Sequence, residues 1–210
     1  MGLDMYLERT PRYKGATPHD VSIIENYFDW IREKNNGNEY ANCTFKKWCG
    51  CELSDLPNLE TIEFYKPFYK PTYSDWDKNK EHPWYRIAEE VGYWRKANQI
   101  HNWFVENIQD GIDDCDIHRE VTKENLEELL DVCQKVYDSC AMIVDPDNRW
   151  IIAEPSVAKE FLPTTSGFFF GDTDYNEWYV DEIINTINII QNVLETTDFD
   201  KQMIYYVSSW

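Results

Sequence analysis

Positive charge is what this chain has least of. Its 210 residues carry 20 Lys plus Arg against 39 Asp plus Glu, a formal net charge of -19. Duplex nucleic acid and anionic membranes are bound through basic clusters that displace counterions, so neither is expected as a partner. Histidine is scarce as well: His19, His82, His101 and His118 are the whole supply. No nucleophile elbow, P-loop or two-histidine zinc helix occurs, so nucleophilic catalysis has no signature and no cofactor is expected. No apolar run approaches the ~20 residues of a membrane helix. The opening Met1-Gly2-Leu3-Asp4-Met5-Tyr6 lacks the basic and apolar regions of a secretory leader, and Tyr6 stands where a myristoylation signal wants Ser or Thr. The six cysteines therefore read as reduced thiols of a cytoplasmic protein.

Core material is plentiful. Hydrophobic residues make up 42% and aromatics 16%, with 9 Trp and 14 Tyr, which excludes a disordered chain. The length suits a single domain over 1–210. Leu3, Met5 and Leu7 alternate with polar neighbours as in a half-buried strand. Thr17-Pro18-His19-Asp20 starts a helix with stripe Val21, Ile24, Phe28 and Ile31, stopped at Asn35-Asn36-Gly37. Thr122 caps another, with stripe Leu126, Leu129, Leu130, Cys133, Val136, Tyr137 and Cys140. Arg149–Ala153 and Phe168–Phe170 read as strands. Asp174 is the expected N-cap of a helix with stripe Val180, Ile183, Ile184, Ile187, Ile190 and Leu194. Met203–Val207 reads as a last strand, able to neighbour the first. Periodicity fails over 38–83, an irregular insertion rich in aromatics, proline and cysteine, with one strand expected near Thr61–Tyr65. The expected class is α+β: about four helices on a small, mainly antiparallel sheet.

The organising stretch is 89–106, read as one helix. Ile87, Val91, Trp94, Val105 and Ile108 recur at helical spacing, and Tyr93, Ile100 and Phe104 widen the stripe. Asn98 and His101 fall inside its buried arc, Arg95 and Asn102 on its edge, and Lys96 and Trp103 farther round toward solvent. Buried polar groups need partners, so this element either anchors a hydrogen-bond network or lines a pocket. Arg95 offers a fork for phosphate, Asn98, His101 and Asn102 offer hydrogen-bonding edges, and Trp94 a stacking face. Thr165 and Ser166, before Gly167, add hydroxyls and amides. These seven residues are the candidate ligand site for a small anionic, nucleotide-like molecule.

Metal signals are weaker. Cys43, Cys49 and Cys51 with His82 lack the paired spacing of structural zinc sites, so no metal is expected there. Asp172, Asp174 and Asn176 fail the calcium-loop pattern at Glu177 and Ile183. Asp110, Asp113, Asp114 and Asp116 read as a solvated acidic loop.

Gly2–Leu7, Gly92-Tyr93-Trp94-Arg95-Lys96-Ala97-Asn98 with His101, Trp103 and Phe104, Ser166–Gly171, and Tyr205–Trp210 together resemble a group of small uncharacterised proteins of tailed bacteriophages and prophages. The similarity spans about two thirds of the chain and omits 38–83. It implies a phage-encoded accessory protein of the host cytoplasm. Such a protein would sequester a nucleotide signal of bacterial defence without chemistry, or inhibit a basic host protein through its acidic, aromatic-rich surface. A metal-dependent nucleotide hydrolase, with His101 as base and Asp172 and Asp174 on the metal, is a third alternative.

Overall fold

Alternating apolar residues give the first strand its buried face, and that face sets the core. The computed structural model describes residues 2–37, 42–73, 83–115, 117–167 and 170–210. Two compact units result, one from Met1–Arg9 with Glu90–Trp210 and one from Thr10–Glu89. Strand β1 (Asp4–Pro11) runs out of the first and into the second.

The Thr10–Glu89 unit opens with α1 (Pro18–Asn36). The Thr17 hydroxyl accepts from Asp20 N, the Asp20 side chain returns the bond, and Gly37 ends the helix in the left-handed region. Val21 and Ile24 are buried, while Phe28 and Ile31 are only half-buried. Helix α2 (Phe45–Cys49) and helix α3 (Leu59–Tyr65) follow, with 3-10 turns at Leu53–Asp55 and Lys66–Phe68. Thr61–Tyr65 is thus helix rather than the expected strand. Asn58 Oδ1 caps it through Thr61 N, and Thr61 and Tyr65 bury one side, one turn apart. The unit closes on an antiparallel pair, β2 (Lys70–Thr72) with β3 (Trp84–Arg86). His82 and 74–81 lie outside the described residues.

The other unit carries the site. It contains β4 (Glu89–Arg95), α4 (Asn98–Asn107), β5 (Arg119–Val121), α5 (Lys123–Ser139), β6 (Met142–Val144), β7 (Trp150–Ile152), α6 (Ser156–Phe161), α7 (Glu177–Thr196) and β8 (Gln202–Ser209). Its mainly antiparallel sheet has the order β4-β1-β8-β5, so the first and last strands are the central pair. Leu3, Met5 and Leu7 share one core with Trp94, Phe104, Val121, Leu126, Ile183, Ile204 and Tyr206. Phe104 of α4 stacks flat on Tyr206 of β8, with centroids 4.1 Å apart. Helix α5 packs along α7 and α6.

Several expectations need correction. The single helix over 89–106 is a strand, a turn and a shorter helix. Val91 and Trp94 fit helical spacing, but Gly92 and Trp94 are buried while Tyr93 and Arg95 are exposed, an alternation of period two. Val, Tyr and Trp favour a strand, and Gly disfavours a helix interior. Seven α-helices occur among the described residues rather than about four. The extra ones, α2, α3 and α6, have five, seven and six residues, too few for periodicity to register.

Helix α7 begins two residues later than expected. Asn176, not Asp174, is the N-cap, its Oδ1 accepting from Trp178 N and Tyr179 N. Its buried face is Tyr179, Ile183, Thr186, Ile190 and Val193, and Ile184 turns outward. In α5, Leu126, Leu129, Cys133 and Val136 are buried but Tyr137 is exposed. Burial pushes the Cys133 thiol up to about 12, which leaves it inert. Strand β6, which had no sequence signal, pairs antiparallel with β7. Phe170 sits at a bend rather than in a strand, and Phe168 and Phe169 lie outside the described residues.

Gly92 is where α7 meets β4. A β carbon there would stand 2.6 Å from Ile189 Cγ2 and 3.4 Å from Leu7 Cβ. Gly92→Ala should therefore destabilise the protein by about 1–3 kcal/mol, the usual range for overpacking. Ile189→Ala in the same chain should recover part of that loss in urea unfolding, because the two positions share one contact.

Candidate functional site

The turn between β4 and α4 forces a lysine into an uncommon backbone conformation. Lys96 has φ 63, in the left-handed region, where residues other than Gly, Asn and Asp seldom sit. Its N donates to Leu3 O at 2.8 Å, and its carbonyl accepts from Asn98 N at 2.9 Å. The reversal leaves Arg95 and Lys96 exposed and sends Ala97 through Val105 inward, except half-buried Asn102. Two glycines let the chain close around these cations. A β carbon on Gly171 (φ 89) would lie 3.1 Å from Lys96 Cβ, and one on Gly2 3.4 Å from Lys96 Cε and 3.8 Å from Arg95 Nε.

Asn98, 1% exposed, is the fastening of this corner. Its Nδ2 donates to Phe170 O at 3.1 Å and to Asp172 O at 2.8 Å. Its Oδ1 accepts from Thr165 N at 2.8 Å. One amide thus satisfies three backbone groups of the 164–172 segment. Thr164 adds a bond from its hydroxyl to Thr173 O at 2.9 Å.

His101 is fully enclosed. Its Nδ1 lies 2.7 Å from the Tyr206 hydroxyl, its Nε2 3.0 Å from Asp113 Oδ1, and the Phe170 ring meets it edge-on. A carboxylate only accepts, so Nε2 carries the hydrogen and Nδ1 accepts from Tyr206. Burial holds the imidazole below its ordinary pKa, against the upward pull of Asp113. Trp210 Nε1 donates to the same Asp113 oxygen at 3.1 Å. Asp113 thus ties His101 and Trp210 together from an exposed loop position, where Asp110 and Asp114 are exposed too; Asp116 lies outside the described residues.

Arg95, Lys96, Asn98 and Gln99 form one wall of a cavity of about 260 Å³. Thr164, Gly171, Asp172, Asp174, Asn176, Trp178, Tyr179 and Glu182 complete it. Trp178 is 67% exposed and presents a free aromatic face. Two of its three acids are engaged. Asp172 accepts from Asp174 N at 3.0 Å and Asn176 Nδ2 at 2.7 Å, while Asp174 lies 3.7 Å from Arg149. Helix α4 starts at the cavity with no side-chain cap on its N-terminus, so its dipole adds positive potential there.

Of the seven candidate residues, Arg95 and Asn98 line this cavity. Trp94 does not offer a stacking face: it is 1% exposed, and its Nε1 donates to Thr186 Oγ1 at 2.9 Å. His101 belongs to the buried network, and Asn102 borders a smaller neighbouring cavity of about 160 Å³ together with Gln99. Thr165 contributes its backbone N–H to Asn98, and Ser166 is exposed. Lys96, expected to face away, lines the cavity, while Trp103 is buried at 6%. Gln99, Trp178 and Glu182 carried no sequence signal beyond being polar or aromatic on helices. Among the described residues no group of three or more His, Cys, Asp or Glu is placed to hold a metal ion, and all six cysteines are free. None of these helices is long and apolar enough to cross a membrane.

The chain matches no protein-family model, no curated protein and no solved structure.

Asn98→Ala should lower stability by about 1–3 kcal/mol or more, since buried backbone groups lose their partners. Asn98→Asp should be worse near neutral pH, because a carboxylate would face two carbonyls. For His101, the unfolded chain takes a proton near the ordinary 6.5 and the folded chain only below it. Its contribution is therefore present above that value and lost as pH falls. Thermal midpoints should drop between about pH 7 and about pH 5.5, and His101→Gln should flatten that slope.

Proposed function

We propose that this protein is a binding protein that holds a small anionic, nucleotide-like ligand in the cavity at the β4–α4 turn and performs no chemistry on it. The placement of Arg95 and Lys96 beside the uncapped start of α4 carries this reading. In a chain of net charge -19, two adjacent cations held over glycine backbone give an anion a pair of charged donors, at one end of a cavity whose other wall carries Asp172, Asp174 and Glu182. Trp178 supplies a face for a ring to stack on. The left-handed Lys96 fits a position retained for ligand contact rather than for chain economy.

A cavity of about 260 Å³ lies at the small end of ligand sites, roughly 300–1,000 Å³. It suits one nucleotide unit, with any larger remainder in solvent. His101, enclosed by Tyr206 and Asp113, does not line it, which favours sequestration over hydrolysis with that base. The resemblance to proteins of tailed phages supports a role in the host cytoplasm, where such a ligand would be a defence signal.

Calorimetry with mononucleotides, cyclic dinucleotides and cyclic ADP-ribose is the direct test. Binding of at least one is expected, with intact nucleotide recovered after heat denaturation; absence of heat with all of them overturns the reading. Arg95 is 62% exposed along its side chain and 4.0 Å from Asp4. Arg95→Ala should therefore leave the unliganded thermal midpoint within a degree or two while weakening binding by about 1.5–3 kcal/mol. Arg95→Lys should keep part of the affinity if the fork is bidentate. A large fall in the unliganded midpoint would show a scaffolding arginine instead.

A second reading, inhibition of a basic host protein, is favoured by one observation. Ile143, Val144, Trp150 and Trp178 are 47%, 47%, 50% and 67% exposed, and Asp145, Asp147, Asp174, Glu177 and Asp181 stand among them in the sequence. Aromatics ringed by charge are typical interface anchors. A partner captured from host lysate at low salt and released at high salt would support it, and salt-independent capture would count against it.

A further inference from the structure

Two residues that line this cavity each carry a buried polar atom without a hydrogen-bond partner. Gln99 is 3% exposed, and its Nε2 has no hydrogen-bond partner. Glu182 is half-buried; Asn185 hydrogen-bonds its carboxylate, and the enclosed Oε2 is left without a partner. Only a few side-chain atoms among the described residues share that condition, and these two border the same cavity. Orphaned buried groups are costly and persist in native proteins where water, an ion or a ligand completes them. One of them is a donor and the other an acceptor.

From this pair we infer that the cavity reads a lactam edge, a ring N–H beside a ring carbonyl, with Gln99 Nε2 donating to the carbonyl and Glu182 Oε2 accepting from the N–H. That edge belongs to the oxopurines guanine and hypoxanthine and to uracil. Adenine and cytosine present an amino group beside an unprotonated ring nitrogen, which reverses donor and acceptor. The inference rests on the cavity being the ligand site proposed above, with Arg95 and Lys96 on the phosphate and Trp178 on the ring face. Its chemistry is self-consistent: burial pushes the Glu182 carboxyl above its ordinary pKa, and a ligand N–H in place of the missing partner would favour the ionised form. Selectivity of this kind is steep, since the wrong base leaves both protein groups unpaired.

The test is calorimetry of the full chain with 5′-GMP, 5′-IMP and 5′-UMP against 5′-AMP and 5′-CMP. The lactam nucleotides should bind about tenfold or more tighter than the other two; GMP and IMP against UMP then tells a purine site from a pyrimidine site. Gln99→Leu should erase most of that preference without lowering the unliganded thermal midpoint, because an unpaired amide is replaced by an apolar group of similar shape. Glu182→Gln should reduce the preference for the lactam nucleotides over AMP and CMP. Equal affinity for all five nucleotides would overturn the lactam inference and leave the anion site standing. Binding by none would overturn both. A marked loss of unliganded stability in Gln99→Leu would show that the amide serves the scaffold through water, and would overturn the inference as well.

Discussion

The amide of Asn98 is the constraint on which the site depends. The described residues 164–167 and 170–172 form no strand or helix, and their backbone groups need partners from elsewhere. Asn98 provides them from a single side chain, accepting from Thr165 and donating to Phe170 and Asp172. Everything in the cavity wall follows from that tie. It brings Gly171 against Lys96 and sets Asp172 where it can order Asp174 and Asn176. Through Asn176 the same tie reaches the cap of α7, and so fixes Trp178, Tyr179 and Glu182 at the first turns of that helix.

His101, one turn along the same face of α4, repeats the arrangement beside it. There a side chain from the helix gathers Tyr206 from β8 and Asp113 from the following loop. The two polar residues thus divide the work: Asn98 organises the cavity, and His101 locks α4 to the sheet. Both are satisfied internally, which leaves ligand contacts to the residues around them.

How much of this was legible differs from element to element. Leu3, Met5 and Leu7 announced β1, and Thr17 with Asp20 and Gly37 announced both ends of α1, because alternation and capping are local signals. The 89–95 stretch misled because Val91 and Trp94 sit three apart as on a helix, whereas in the strand they fall on opposite faces and Gly92, pressed against Ile189, shares the buried face with Trp94. That Asn98 and His101 are buried was readable from their apolar neighbours. Their partners were not, since Phe170 and Tyr206 lie 72 and 105 positions away. Gln99 escaped notice for a related reason: a helix buried on nearly all sides has no polar face, so a polar residue there says nothing about direction.

The sheet order carries a different consequence, for how the chain is made. β1 and β8, at Asp4–Pro11 and Gln202–Ser209, are neighbours in the middle of the sheet. As the chain leaves the ribosome, β1 emerges well before its inner partner, so one edge of β1 waits open while the elements between them are made. Such distant pairing closes a long loop and slows folding. Completion of this core therefore waits on β8, the keystone that fills the gap between β1 and β5.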